Sequence, residues 1–266
     1  EIEESMFLLV FAHQAEPSYP LVMAANRDEF FSRPTQHATL WESSCRHKAI
    51  LAGKDLVSGG TWLGITRNGR FSAVTNIKNP SESEQKPRSR GELTINFLQS
   101  DISVDEYTSN LAGQFDQFEG FNLLLGDGHN MFYINNFERV VTKLEPGFYG
   151  LSNGRLNSDW PKVNRVRNGL QQLLKKEKPI STDQLIAMMN DRELSTDTNL
   201  PDTGQTTELE KVISSAFIMN TGHGYGTLCS TAIIKEANGN THFNEQNYDV
   251  AGIAVDSHYY RFLENS

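Results

Sequence analysis

One stretch constrains this chain more than any other. The apolar run Leu21-Val-Met-Ala-Ala25 ends without a break in four polar residues, Asn26-Arg-Asp-Glu29. A run of that length and apolarity belongs in a core as a strand, and charges at its end must be paired or stand at the mouth of a cleft. Strand alternation sends Asn26 and Asp28 to one face and Arg27 and Glu29 to the other. Phe30-Phe31 and Arg33-Pro34 follow at once.

Strand patterning recurs on both sides of this run. Residues 6–14 read as an apolar strand and 17–20 as a turn, so the first two strands are expected to pair as a hairpin. A loop through His37, Trp41 and Cys45 leads to two short strands, at 49–51 and 55–57. Gly59-Gly60 breaks the chain before a strand at 61–66, and Asn68-Gly69 turns it into 71–76, the clearest hairpin. Residues 78–89, with Pro80 and Pro87, read as an exposed loop. Helices are predicted at 91–99, at 104–115 with Ser103 as cap, from Pro161 along the Val163, Val166, Leu170, Leu173 and Leu174 face, and at 181–189. Strands are predicted at 121–126, 131–135 and 140–144. Residues 150–154 read as a Gly-bounded loop and 191–210 as a long, lid-like loop. Closing strands are expected at 215–219, 227–235, 241–247 and 250–262.

Strands at both ends, helices grouped in the middle and short hairpins predict an α+β protein with packed antiparallel sheets. No repeat or linker is visible, so residues 1–266 are read as a single domain, with 1–5 a tag or extension ahead of a natural start at Met6. Net charge is −9, which argues against general nucleic-acid binding because the phosphate backbone needs clustered Lys and Arg. The Lys86, Arg88, Arg90 cluster and the Arg165, Arg167, Lys175, Lys176 helix face read as solvated surface. No run approaches the roughly 20 apolar residues of a membrane span. Two cysteines, Cys45 and Cys229, are too few and too distant for a disulfide framework or a zinc site and fit a reducing, cytoplasmic setting. His13, His129 and His223 lack metal-ligand spacing. Gly222-His-Gly-Tyr-Gly226 leads into a strand rather than a helix, so no dinucleotide site is expected. No cofactor is expected.

Taken together, Ala24-Ala-Asn-Arg-Asp-Glu-Phe30 with Arg33-Pro34, Gly59-Gly-Thr-Trp-Leu-Gly-Ile65, Thr75-Asn76, Arg90-Gly-Glu92, Gly150-Leu-Ser-Asn-Gly154 and Tyr225-Gly-Thr227 resemble the NRDE family, also called the transport and Golgi organisation protein 2 family. The motifs run in order over essentially the whole chain. The family is similar to N-terminal nucleophile (Ntn) hydrolases of the cholylglycine hydrolase type, which implies a four-layer αββα sandwich. In that type a Cys after the initiator Met becomes the first residue of the mature protein. Its thiolate attacks an amide carbonyl while its own α-amine, of pKa about 7.7–8.0, serves as base. Carried over, the resemblance makes Asp28 the partner of that amine and Asn76 and Asn153 the oxyanion or substrate amides. Asn26, Arg27, Glu29, Arg33, Trp62 and Tyr225 fall on the substrate side, with Trp41, Phe30 and Phe31 as further apolar lining.

The chain departs from this pattern where it matters most. Phe7 stands where the nucleophilic Cys is expected, and a phenyl ring cannot attack. Leu228 replaces the Arg of a Tyr-Gly-Thr-Arg motif. Neither Cys45 nor Cys229 can become N-terminal without the loss of a core strand, and Cys229 reads as a buried small hydrophobe. The resemblance therefore implies a non-catalytic protein whose cleft takes a small apolar ligand of the acyl or haem type, in keeping with the family's links to acyl metabolism and haem trafficking. The alternatives are an Ntn-type amidohydrolase acting on C–N amide bonds, and an interaction module without a ligand.

Overall fold

The computed structural model describes residues 6–42, 49–77, 86–176, 179–196, 200, 206–219, 222 and 224–264. Residues 1–5, Cys45, His223, much of the 78–89 loop and part of the 191–210 loop lie outside them. The chain opens with β1 (Met6–Glu16), β2 (Tyr19–Phe30), β3 (Thr35–Leu40), β4 (Ile50–Asp55), β5 (Leu63–Thr66) and β6 (Phe71–Asn76). Helices α1 (Gly91–Gln99) and α2 (Val104–Ala112) precede β7 (Phe121–Gly126), β8 (Met131–Asn135), β9 (Val140–Lys143) and β10 (Gly147–Leu151). Then come α3 (Pro161–Lys176), α4 (Thr182–Met189), α5 (Thr207–Val212), β11 (Tyr225–Lys235), β12 (Asn240–Tyr248) and β13 (Ala254–Leu263).

Two compact units result, Glu1–Ser32 with Pro146–Arg261, and Arg33–Glu145 with Phe262–Ser266. The first carries a six-stranded sheet in the order β10-β1-β2-β11-β12-β13. Alternation decides what its helices cover. Leu8, Val10 and Ala12 of β1, Val22 and Ala24 of β2, and Ala232 and Ile234 of β11 pack with Val163, Val166 and Leu170 of α3 and Leu185 and Met189 of α4. Each such Val, Leu, Ile or Met side chain contributes roughly 1.5–3 kcal/mol on burial. Ser181 caps α4 through a reciprocal capping box with Gln184.

The second unit carries a seven-stranded sheet ordered β3 through β9, every neighbour antiparallel. Leu93, Phe97 and Leu98 of α1 and Val104 and Leu111 of α2 form a core with Ile50, Val74, Leu123, Leu125 and Ile134 of the sheet. Ser103 accepts from the Glu106 amide and caps α2 as the sequence predicts. Gly60 and Gly91 meet backbone to backbone: a Cβ on Gly60 would stand 2.7 Å from the Gly91 main chain. Thr94 Oγ1 then donates to the Thr61 carbonyl at 2.6 Å. Among the described residues no helix is long and apolar enough to cross a membrane.

Several sequence expectations are corrected. Residues 35–40, read as loop, form the edge strand β3, and 147–151 form β10, which the Gly-bounded reading missed. The two short strands at 49–51 and 55–57 are one strand, β4, after which Asp55 turns the chain by accepting the Val57 and Ser58 amides. The helix expected over 104–115 ends at Ala112, and a 3-10 turn follows at Phe115–Gln117. Helix α5 lies partly within the expected lid. The apolar segment 215–219 is not a strand. The Phe217 amide donates to the Asp191 carbonyl, and the Ile218 amide to the Thr227 hydroxyl.

Candidate functional site

The NRDE segment is the carboxyl end of β2, a central strand of the first unit's sheet, hydrogen-bonded to β1 on one side and β11 on the other. Register sets Phe7 opposite Arg27, and Arg27 opposite Cys229, which in turn faces Asn247 of β12. At the open end of this row the Phe7 amide donates to Asn153 Oδ1 at 3.3 Å, just beyond β10. A single cross-strand row thus holds Asn153, Phe7, Arg27, Cys229 and Asn247. Phe7 is buried, and Arg27 and Glu29, also buried, form an ion pair at 3.7 Å. Burial pushes the Cys229 thiol well up, so it stays a neutral, inert thiol.

The opposite face holds Asn26 and Asp28. Asn26 Nδ2 donates to the carbonyls of Met189 and Ala216, and its Oδ1 accepts from Ser230, which accepts in turn from Tyr248. This amide closes the end of α4 and the 215–219 segment onto the sheet. Asp28 accepts from Thr227 Oγ1 at 2.6 Å. Burial lifts its pKa from 3.8 to about 7, against the opposing pull of the Lys162 ammonium, the Thr227 bond and Arg27. Lys162 is itself buried in the first turn of α3, where Nζ donates to the Ile213 carbonyl at 3.0 Å. Burial lowers its pKa, while Asp28 and Glu210 favour its charged form. Sequence reading missed Lys162, because a lysine near the start of an amphipathic helix carries no signal of burial.

Tyr225 ties this cluster to the first strand. Its hydroxyl accepts from the Met6 amide at 3.0 Å and donates to the Asp28 carbonyl oxygen at 3.2 Å. Burial, with Asp28 and Glu29 nearby, raises its pKa well above the phenol value, so it remains a neutral donor. Phe30 packs edge-on against it at 5.2 Å. A β-bulge makes the arrangement possible. Thr227 pairs with Asp28 and Cys229 with Arg27, leaving Leu228 as the extra residue. Without it, Thr227 and Cys229 would share a face; with it, Thr227 and Ser230 both reach the face of Asp28 and Asn26.

The structure therefore gathers Phe7, Asn26, Arg27, Asp28, Glu29, Asn153 and Tyr225 at one end of a single sheet, on two faces. Asn76, Arg33 and Trp62 belong to the second unit. There Asn76 ends β6 opposite Phe121 and Trp62 is buried, its carbonyl accepting from the Val74 amide. Arg33 Nε donates to Asp55 at 2.7 Å. Trp41 packs beside the core of α1 and α2, with Nε1 donating to the Ala52 carbonyl. Among the described residues no group of His, Cys, Asp and Glu is placed to hold a metal ion.

Comparison with known proteins matches this arrangement to a family. A family model described as Transport and Golgi organisation 2 matches residues 6–250. The human Transport and Golgi organization protein 2 homolog is 31% identical over 259 residues, covering 91% of this chain and 92% of the relative. The Drosophila melanogaster Transport and Golgi organization protein 2 is 25% identical, with the same shares covered. Among solved structures, a conjugated bile acid hydrolase from Clostridium perfringens superposes with a TM-score of 0.52 over 97% of both chains, at 10% identity. A Caenorhabditis elegans ortholog of N-acylethanolamine-hydrolyzing acid amidase gives 0.50 over 85% of this chain and 92% of its own, at 7% identity. At such identities the likeness speaks to fold alone, and the fold is the Ntn-hydrolase, αββα class that the motifs imply.

Proposed function

Because the chain belongs to the Transport and Golgi organisation 2 family and has an Ntn-hydrolase fold, we propose that it is a non-catalytic member that binds a small amphipathic ligand of the acyl or haem type. One observation carries this reading. At position 7 the side chain is a buried phenyl ring, and the nitrogen is a strand amide donating to Asn153. An Ntn hydrolase needs both a nucleophilic side chain and a basic amine at that residue. Here the first is missing and the second is an amide without basicity.

The acyl part of the reading is supported by the kinds of substrate printed for the two structural neighbours, an N-acylethanolamine and conjugated bile acids. A pocket shaped for an acyl group does not depend on the attacking sulfur. A cytoplasmic setting goes with this reading, since Cys229 remains a free, buried thiol. The test is titration of the protein with haemin and with a long-chain acyl-CoA, followed by tryptophan fluorescence, alongside an N-acyl amide hydrolysis assay. Saturable binding of either compound without turnover is expected. Linear, non-saturating signals with both would end the ligand reading, and turnover would end the non-catalytic one.

The amidohydrolase reading retains one supporting observation, the Asn153 carbonyl still directed at the nitrogen of residue 7. It is separated from the first by the Phe7→Cys variant described below.

A further inference from the structure

Away from the NRDE segment, the sheet of the first unit carries a second ordered chain of polar side chains. Tyr259 on β13 and His242 on the neighbouring β12 meet with the phenol oxygen 2.7 Å from Nδ1. On its other side, His242 Nε2 stands 3.2 Å from Glu236 Oε1. Glu236 lies in the turn between β11 and β12, and its second oxygen accepts from the side-chain amides of Asn238 at 3.1 Å and Asn240 at 3.3 Å. Its carboxyl pKa is accordingly lowered, against the effect of burial, by those two amides and by His242. An ionised Glu236 fixes the imidazole with its proton on Nε2, which leaves Nδ1 as the acceptor for the Tyr259 hydroxyl.

That order is the logic of an activated nucleophile: an orienting carboxylate, an imidazole base and a hydroxyl within hydrogen-bond reach. Tyr259 is 53% exposed, so a reagent in solvent can reach its side chain. Ser257 and Arg261 flank it on the same face of β13, with Val255 beyond Ser257, and all three are exposed. The neighbouring Arg261 guanidinium suits an anionic leaving group, and Val255 farther along the same face suits an acyl chain.

The geometry points to Tyr259 as a nucleophile that takes an acyl group from an activated acyl donor, with His242 as its base and Glu236 as the positioning residue. Tyr259 Oη attacks the acyl carbonyl carbon as its proton passes to His242 Nδ1. The bond from that carbon to the leaving group breaks, and the leaving group departs with the proton from His242. The products are an O-acyl tyrosine and the protonated leaving group, with no oxidant or metal required. This assignment stands apart from the ligand reading of the NRDE end and does not depend on it.

The test uses N-acetylimidazole at limiting stoichiometry on the full chain, with peptide mass mapping across the eight tyrosines. Tyr259 is expected to acetylate at least about tenfold faster than its neighbour Tyr260, and His242→Ala to remove that advantage. Added free imidazole should restore the Tyr259 rate in His242→Ala, which a merely structural histidine would not allow. Glu236→Gln should slow Tyr259 while leaving Tyr260 unchanged. Equal labelling of Tyr259 and Tyr260, or a Tyr259 rate indifferent to His242→Ala, would overturn the assignment. So would slowing of every tyrosine alike or failure of imidazole to restore the rate in a folded variant.

Discussion

Thr227 donates to the Asp28 carboxylate across 2.6 Å inside a sheet where neither side chain meets solvent. The same hydroxyl oxygen accepts from the Ile218 amide at 2.8 Å. Thr227→Val, nearly the same shape, leaves both the carboxylate and a buried amide short of a partner. A loss of about 2–4 kcal/mol is expected, with Thr227→Ser retaining most of the stability. Urea unfolding of the three proteins checks this, and an unchanged midpoint in the valine variant would contradict it.

Asp28 predicts a pH dependence of definite sign. Its folded pKa, about 7, lies above the 3.8 of the unfolded chain. Between those values the native state binds more protons than the unfolded state, so stability falls as pH rises through the window. At about 1.4 kcal/mol per pH unit the full contribution is ~4 kcal/mol. Lys162, whose pKa burial lowers, contributes a slope of the opposite sign between its folded value and 10.5. Asp28→Asn should flatten the curve between pH 4 and about 7. Denaturant melts across that range, compared with those of the original chain, supply the measurement; parallel curves would refute it.

Restoring the missing sulfur is not expected to restore hydrolysis. In a Phe7→Cys variant whose chain begins at position 7, the new amine needs Asp28, which is held by Thr227 and faces the Lys162 ammonium. N-acyl amide turnover should stay at background, while the thiol alkylates with iodoacetamide. Turnover that disappears on alkylation would favour the amidohydrolase reading.

Gly60→Ala places a methyl 2.7 Å from the Gly91 backbone, where no side chain can rotate away. The overlap should cost about 1–3 kcal/mol or more. A lowered melting temperature in circular dichroism is the expected result, and a neutral substitution would show that β5 and α1 can part at that point.

Much of this was readable from the chain because the signals were local. The Asn68-Gly69 turn, the Ser103 cap and the β1–β2 hairpin follow from short-range chemistry and stand in the structure. So does the division of Asn26 and Asp28 from Arg27 and Glu29. Elements that depend on a distant partner were not readable. β3 is an edge strand of mixed polarity beside Pro34, and β10 exists because β1 supplies its hydrogen bonds. The 215–219 run is apolar because it is enclosed, and enclosure alone does not make a strand. Gly59-Gly60 reads in the sequence as a break in the chain, whereas Gly60 meets the Gly91 backbone directly, a contact between distant segments that no local signal announces.

The unpaired residue Leu228 works as a phase correction. Ahead of it, the sheet-facing rhythm of β11 runs on odd numbers through Thr227; behind it, the rhythm runs on even numbers through Ser230, Ala232 and Ile234. The interval of three between that threonine and that serine is what lets one strand serve both a carboxylate and an amide. Gain or loss of one amino acid there would turn the Tyr225-Gly-Thr227 segment over and strand both partners, so this part of the chain should tolerate exchange of letters far better than a change of length.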